Sequence, residues 1–372
     1  MNLQQLHAIQ LDLYAYITQY KSEGGKKIVG YLCSYAPEEI IYAAGALPFR
    51  IFGTRNTITL ADVHLQSYCC SPVRGALEDA LSGSINFLDG IVFPHTCDSI
   101  QRLSDIWRLN VPLHFHIDVV LPVKLNTESA RDYMCNVLNK FRKELEIKLQ
   151  VEISDDSINH AMSVYNTIRQ RIKTIYEMRQ ENPLLLKSNN FHNIIKSSMT
   201  IDRNIINEIL RVTIDGLKAI KGTHENNSRK RLIITGGGCN YPDIYQIIEE
   251  AGGMVIWDDL CTGARYFDEF LKPTGDPIES LAERYLTRII CPAKHRELST
   301  RAEHLLNIIK TKNADGIVFL IQKFCDPHSF DYPDLKNNLH KEGVPTILIE
   351  MEDEPSAGER IKTRIEAFIE TL

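Results

Sequence analysis

Nine cysteines are spread along the 372 residues, and most stand where an apolar run stops. Cys33 ends KIVGYLC, Cys97 ends GIVFPHTC, Cys261 ends MVIWDDLC and Cys325 ends GIVFLIQKFC. Cys239 follows LIITGGG, and Cys70 opens the helix-like CSPVRGALEDAL. A thiolate at a strand end or helix start is partly stabilised by backbone N–H groups, which suits metal ligation and reactivity alike. The compact C-x2-C-x2-C run of a ferredoxin is missing, so a cluster would have to be assembled from loops far apart in sequence. The residues alone leave two alternatives open: a metal or cluster site, or a mixture of buried structural thiols and one reactive cysteine. Cys135, inside a helical stretch, reads as packing.

Other groups gather near the same places. Ser34, Glu38 and Glu39 follow the first apolar run, where a hydroxyl or carboxylate could serve a metal as ligand or proton carrier. The competing reading of the glutamates is charge in a first helical turn answering the helix dipole. His95 beside Cys97 and His328 near Cys325 could donate hydrogen bonds to sulfur or to a substrate oxygen, or be exposed loop histidines. Gly236, Gly237 and Gly238 lack the G-x-G-x-x-G continuation and read as a tight turn rather than a dinucleotide fingerprint. No G-x-x-x-x-G-K-[ST] occurs, so no ATP site is expected in this chain.

The elements that position these groups can be traced from Lys26. KKIVGYLCSY reads as a strand and PEEIIYAAG as a helix, with Pro37 in its first turn and Gly45 as its stop. ALPFRIFG, FLDGIVFPHT and VPLHFHIDVVLPV supply three more strands, with helices near Val73–Leu81 and Ser99–Leu109. Between Thr127 and Gly222 the apolar positions recur at helical spacing. Alternation then returns in LIITGGGC, MVIWDDLC, GIVFLIQKFC and VPTILIEME, with helices in IYQIIEEAGG, near Ile278–Leu286, in RAEHLLNIIKTKN, near Tyr332–Glu342 and from Ala357. Strands alternating with helices imply parallel sheets covered on both faces. The expected architecture is α/β, with two doubly wound Rossmann-like domains, residues 1–126 and 231–372, joined by a helical block over 127–230. Loops beyond the carboxyl ends of such strands converge on a crevice, which is where the cysteines fall.

Composition agrees with this plan. A chain of this length, 44% hydrophobic and 24% charged, exceeds the size at which one core usually splits into two. Forty-two basic and 48 acidic residues give a net charge of -6 without a long basic run, so neither nucleic acid nor an anionic membrane is an expected partner. The start lacks a secretory pattern and no segment has the length of a spanning helix, so a cytoplasmic location is expected. There, thiols serve ligation or catalysis rather than disulfides.

The segments GYLCSYAPEEIIYAAGALPFRIFG, YCCSPVRGALE, FPHTCDSIQRLSDIW, DDLCTGARYF, AERYLTRIICP, VFLIQKFCDPHSFDYPDLKNNLHKEGVPTILIEMED and GERIKTRIEAFIE resemble the successive signatures of the 2-hydroxyacyl-CoA dehydratase and benzoyl-CoA reductase family. They come in the family's order, from about Lys26 to Leu372. The resemblance implies a [4Fe–4S] cluster on three cysteines with one iron left open: Cys70 from CCSPVRG, Cys97 from HTCDS and Cys325 from KFCDP. Cys69 is the substitute for Cys70, which stands two residues before Pro72. Cys33, Cys239, Cys261 and Cys291 are weaker candidates, and Cys239 stands just after a strand, where a subgroup with a larger double-cubane cluster uses an extra cysteine. The resemblance further implies an acyl-CoA thioester substrate, a homologous second subunit or a homodimer, and a separate ATP-hydrolysing iron–sulfur activator. The implied activity is (R)-2-hydroxyacyl-CoA dehydration through a ketyl radical, with Ser34, Glu38 and His95 as candidate catalytic groups. Ring reduction of benzoyl-CoA, a double-cubane reductase and a cluster-carrying electron-transfer subunit are the alternatives.

Overall fold

The computed structural model describes residues 3–24, 26–54, 57–220, 229–238, 243–272, 275–297, 299–351 and 358–372. In chain order its elements are α1 (Leu3–Leu11), α2 (Leu13–Gly24), β1 (Ile28–Tyr31), α3 (Glu38–Ala43), β2 (Leu47–Arg50), α4 (Ser71–Leu81), β3 (Gly90–Pro94), α5 (Asp98–Asn110) and β4 (Phe115–Val119). The helices α6 (Glu128–Leu149), α7 (Asp155–Glu181), α8 (Ser188–Ser198) and α9 (Arg203–Ala219) follow. The rest is β5 (Lys230–Gly236), α10 (Ile244–Glu250), β6 (Gly253–Asp259), α11 (Ala264–Phe267), α12 (Pro277–Thr287), α13 (Thr300–Lys312), β7 (Gly316–Gln322), α14 (Asp326–Lys341), β8 (Thr346–Met351) and α15 (Gly358–Glu370).

Two four-stranded sheets form, ordered β2-β1-β3-β4 and β6-β5-β7-β8, and every pairing is parallel. The strands β1, β3, β6 and β7 are buried along their whole length, as apolar runs covered on both faces require. The order reverses beside β1 in one sheet and beside β5 in the other, giving each a switch-point crevice at its carboxyl edge. At the second of these, Gly236 has φ +154° and a Cβ there would lie 1.8 Å from the Leu320 carbonyl oxygen, so only glycine allows the approach of β5 to β7.

The helical stretch holds the two sheets together. α7 touches α3 from the first sheet's half and both β6 and α11 from the second, while α6 packs on β4 and α12. Ile278, Leu281, Tyr285 and Leu286 of α12 share one core cluster with Val29, Val92 and Ile117 of the first sheet. The segment after α12 also pairs with the segment after β4, through an isolated parallel bridge of Lys124 with His295.

Several helices differ from the sequence expectation. The helices α1 and α2 precede the first strand, and Leu6 and Ile17 are buried. α14 begins six residues before Tyr332: Pro327 occupies the first turn, and Pro333 is accommodated inside the helix.

Candidate functional site

Six thiols line one interior cavity of about 150 Å³: Cys33, Cys70, Cys97, Cys261, Cys291 and Cys325. The cavity lies where the carboxyl ends of both sheets converge. Leu32 and Cys33 follow β1, Phe52 follows β2, and Thr96 and Cys97 follow β3; Gly237, Cys261 and Cys325 come from the loops after β5, β6 and β7. A second, larger cavity of about 530 Å³ adjoins it, walled by Lys294, Arg296, Arg301, Asp326, Asp331 and Asp334 among others. Cys70, Cys97 and Cys325 line both spaces, so they form the partition between them.

Those three share a local structure. Each is the N-cap of a helix: Cys70 of α4, Cys97 of α5 and Cys325 of α14. A serine at such a position would accept from a first-turn N–H. None of the three sulfurs makes a cap hydrogen bond of ordinary length. The backbone N–H of Val73, Ile100 and His328 nevertheless acts on Cys70, Cys97 and Cys325 respectively, favouring the thiolate. Burial outweighs that help. It pushes the Cys70 thiol well above its usual range, and those of Cys97 and Cys325 up to about 12. The Cys325 and Cys97 sulfurs act on Cys70 in the same direction, a sign of how close the three lie.

The other cysteines occupy the deeper wall. Burial, then the Cys261 thiol, pushes Cys291 up to about 12. Thr96 Oγ1 donates to Cys33 Sγ at 3.3 Å, and Arg265 Nη1 lies 3.9 Å from Cys261 Sγ. Arg265 is itself fixed by a two-bond pair with buried Asp259, at 2.6 and 2.7 Å. Cys69 belongs to the hydrophobic core of the first sheet and lines neither cavity, and Cys135 packs beside α6's core neighbours. Cys239 lies outside the described residues.

Four groups that sequence patterns did not single out complete the surroundings. Lys294 is 1% exposed, donates to the Leu121 carbonyl at 3.2 Å, and feels the Cys33, Cys291 and Cys97 thiols while burial depresses its pKa. Gln322 and Arg50 line the inner cavity, and Phe324, just before Cys325, adopts φ 66°. Of these only Lys294 had a signal in the chain, its position three residues after Cys291.

Ser34, Glu38 and His95 are not among the residues lining either cavity. Arg288 donates to the Ser34 carbonyl at 2.8 Å and to its hydroxyl at 3.3 Å. Glu38 opens α3, as first-turn charge should, and is paired with buried Arg203 at 2.9 Å and with the Tyr165 and Tyr266 hydroxyls. Glu39 pairs with Arg169. His95 contacts Asp118 through Nε2 at 2.9 Å, beside His116, Ser104 and Arg108. Burial raises the Asp118 pKa, and the hydrogen bonds from His116, Ser104 and His95 outweigh it, holding the carboxyl ionised. His328 is not a loop histidine: it is buried against the inner cavity, and burial keeps it neutral.

Among the described residues, no three His, Cys, Asp or Glu side chains close on a single-ion site, and no helix is long and apolar enough to cross a membrane. The fold and site thus define a two-sheet α/β protein whose thiols are drawn from both sheets to one seam. The chain belongs to the family described as 2-hydroxyglutaryl-CoA dehydratase, D-component, whose profile matches residues 33–372. It is 28% identical to the (R)-phenyllactyl-CoA dehydratase beta subunit of Clostridium sporogenes, over 96% of this chain and 95% of that one. It is 27% identical to a benzoyl-CoA reductase subunit of Thauera aromatica, with 97% and 95% covered. The beta subunit of lactoyl-CoA dehydratase of Anaerotignum propionicum is also 27% identical, over 100% of this chain and 98% of its own.

Proposed function

We propose that this chain is the iron–sulfur subunit of an enzyme that eliminates water from a 2-hydroxyacyl-CoA, with its cluster on Cys70, Cys97 and Cys325. The observation that carries the reading is the position of these three sulfurs, at helix N-termini and between an apolar inner space and a larger outer one with charged residues on its wall. The donor set fits such a group. Soft thiolates from separated loops surround a space rather than a point, no carboxylate among the described residues lines the inner cavity, and helix N-termini offset the negative charge. When bound, the group would supply one-electron chemistry and a Lewis-acidic iron with an open position.

The protein's own residues do the rest. The outer cavity, the larger of the two, is suited to the bulky thioester carrier, and the inner cavity, with its apolar lining, to the acyl group. Burial there excludes water from the reacting end. A partner subunit accompanies the chain, as the subunit names of its relatives suggest, and the low-potential electron comes from a separate ATP-hydrolysing activator. The 27% identity to the benzoyl-CoA reductase relative favours a second reading, the same site serving ring reduction. Cys33, Cys261 and Cys291 on the same cavity support a third, in which a larger double cluster is held.

Iron and acid-labile sulfide per chain, measured on anaerobically purified protein and on Cys97→Ser, test the assignment. About four irons that are lost in the variant support the single cluster, and about eight support the larger one. Full iron retention by Cys97→Ser sinks the ligand set.

A further inference from the structure

Two buried cations flank the partition thiols, and no carboxylate among the described residues pairs with either. Arg50, the last residue of β2, is 6% exposed and lines the inner cavity. Its Nε and Nη1 are fully buried and have no hydrogen-bond partner. The rings of Tyr31 and Phe52, with centroids 6.0 and 5.8 Å from its guanidinium carbon, give it a soft contact but no acceptor. Lys294 stands on the outer cavity next to Ala293, which lines both spaces. It is 1% exposed, its ammonium donates to the Leu121 carbonyl, and the groups that act on it as anions are the Cys33, Cys291 and Cys97 thiols. Buried Arg203, Arg169 and Arg265 are matched by Glu38, Glu39 and Asp259, and buried Arg284 and Arg288 by backbone carbonyls. Arg50 Nε and Nη1 have neither. A buried cation without a counter-charge carries a large desolvation cost, and the negative charge available at this seam is the one its thiols hold.

We propose that Arg50 and Lys294 are positioning residues that answer the negative charge of the iron–sulfur group and set its reduction potential. The inference rests on the reading above, in which Cys70, Cys97 and Cys325 hold that group. Three thiolates give an iron–sulfide core a net negative charge, and each electron added makes it more negative. Cations fixed in a buried wall favour the more negative, reduced form and so raise the potential. Arg50 stands on the inner side of the partition and Lys294 on the outer, so the charge is answered from both cavities. The guanidinium keeps its proton throughout, which makes Arg50 the constant part of that field.

The test is a redox titration of the iron-loaded protein followed by EPR. In Arg50→Gln and in Lys294→Gln the one-electron reduction equilibrium is expected to become about tenfold less favourable, a fall of about 59 mV, with iron and sulfide per chain unchanged. Arg50→Lys, which keeps the charge, should titrate close to the wild type. A potential unmoved in either loaded neutral variant overturns the assignment for that residue. An Arg50→Lys variant that falls as far as Arg50→Gln overturns it too, since the effect then follows packing rather than charge. If Arg50→Gln retains no iron, Lys294→Gln decides by the same criterion. A wild-type chain that takes up no iron and sulfide on reconstitution fails the proposed function and takes this inference with it, whereas unmoved potentials in loaded variants defeat the inference alone.

Discussion

Ser71 Oγ donates to the side-chain oxygen of Gln322 at 3.2 Å, tying the first residue of α4 to the last of β7. The Gln322 amide in turn donates to the Gly238 carbonyl, also at 3.2 Å. One side chain thereby spans the seam beside Cys70 and bolts down the loop after β5. Gln322→Ala removes both bonds, each worth about 1 kcal/mol, or roughly a factor of five. Extraction of iron by a chelator should accelerate several-fold while far-ultraviolet circular dichroism stays constant. An unchanged extraction rate would show that the bolt is irrelevant to the site.

Adjacent Cys69 and Cys70 should behave in opposite ways. Cys70 caps α4 and faces both cavities, whereas Cys69 is core. Cys70→Ser is expected to release iron with little change in melting temperature of the metal-free chain. Cys69→Ser should keep the iron and lower stability by about 1–3 kcal/mol, the cost of a buried hydroxyl. Metal analysis and thermal melts of the pair decide between them.

Asp79 provides a pH dependence remote from the thiols. Burial is the main cause that raises its carboxyl to about 6, against the hydrogen bond from Tyr14 Oη at 2.7 Å. An unfolded aspartate titrates near about 3.9, so the folded chain holds this proton more tightly. Its stabilising effect is complete below about pH 4 and is lost as pH rises through 6. Asp79→Asn should flatten that slope and raise stability at pH 7 by up to about 3 kcal/mol, read by urea unfolding at pH 4.5 and 7.5. A destabilised variant at pH 7 would contradict the sign.

Phe324 occupies the left-handed region at φ 66°, where a side chain costs about 1 kcal/mol or more. In Phe324→Gly, relief of that cost and the added freedom of the unfolded chain nearly cancel. Phe324→Val should be destabilised by about 1–2 kcal/mol relative to the glycine variant, since branching at Cβ clashes most in this region. Differential scanning fluorimetry of both proteins gives the answer; a valine variant as stable as the glycine one removes the argument.

The strands and the cysteines at their ends were legible because both are local. A short apolar run such as GIVFLIQ, with β-branched and aromatic residues, reads as a covered strand, and the chain turns near where such runs stop, at Cys33, Cys97 or Cys325. What remained hidden is pairing between distant segments. Nothing near Glu38 announces Arg203, and nothing near Ser34 announces Arg288, so groups that looked available for chemistry are held by arginines. Helix α14 was foreshortened because Pro333 imitates a first-turn proline, the place that Pro327 fills. Helices α1 and α2 escaped because their polar residues give only a sparse apolar stripe, including the buried Gln10, which donates to Ser197 at 2.8 Å.

The sharing of the three partition thiols between two sheets also sets a timetable for biosynthesis. Cys70 and Cys97 leave the ribosome early, with the first sheet, whereas Cys325 emerges only after β7, when most of the polypeptide has been made. A nascent chain thus exposes two soft donors long before the third can close around an inorganic guest. Under the ligand set proposed above, a cluster can close only late in synthesis, and until then the two early thiols stand open to oxidants.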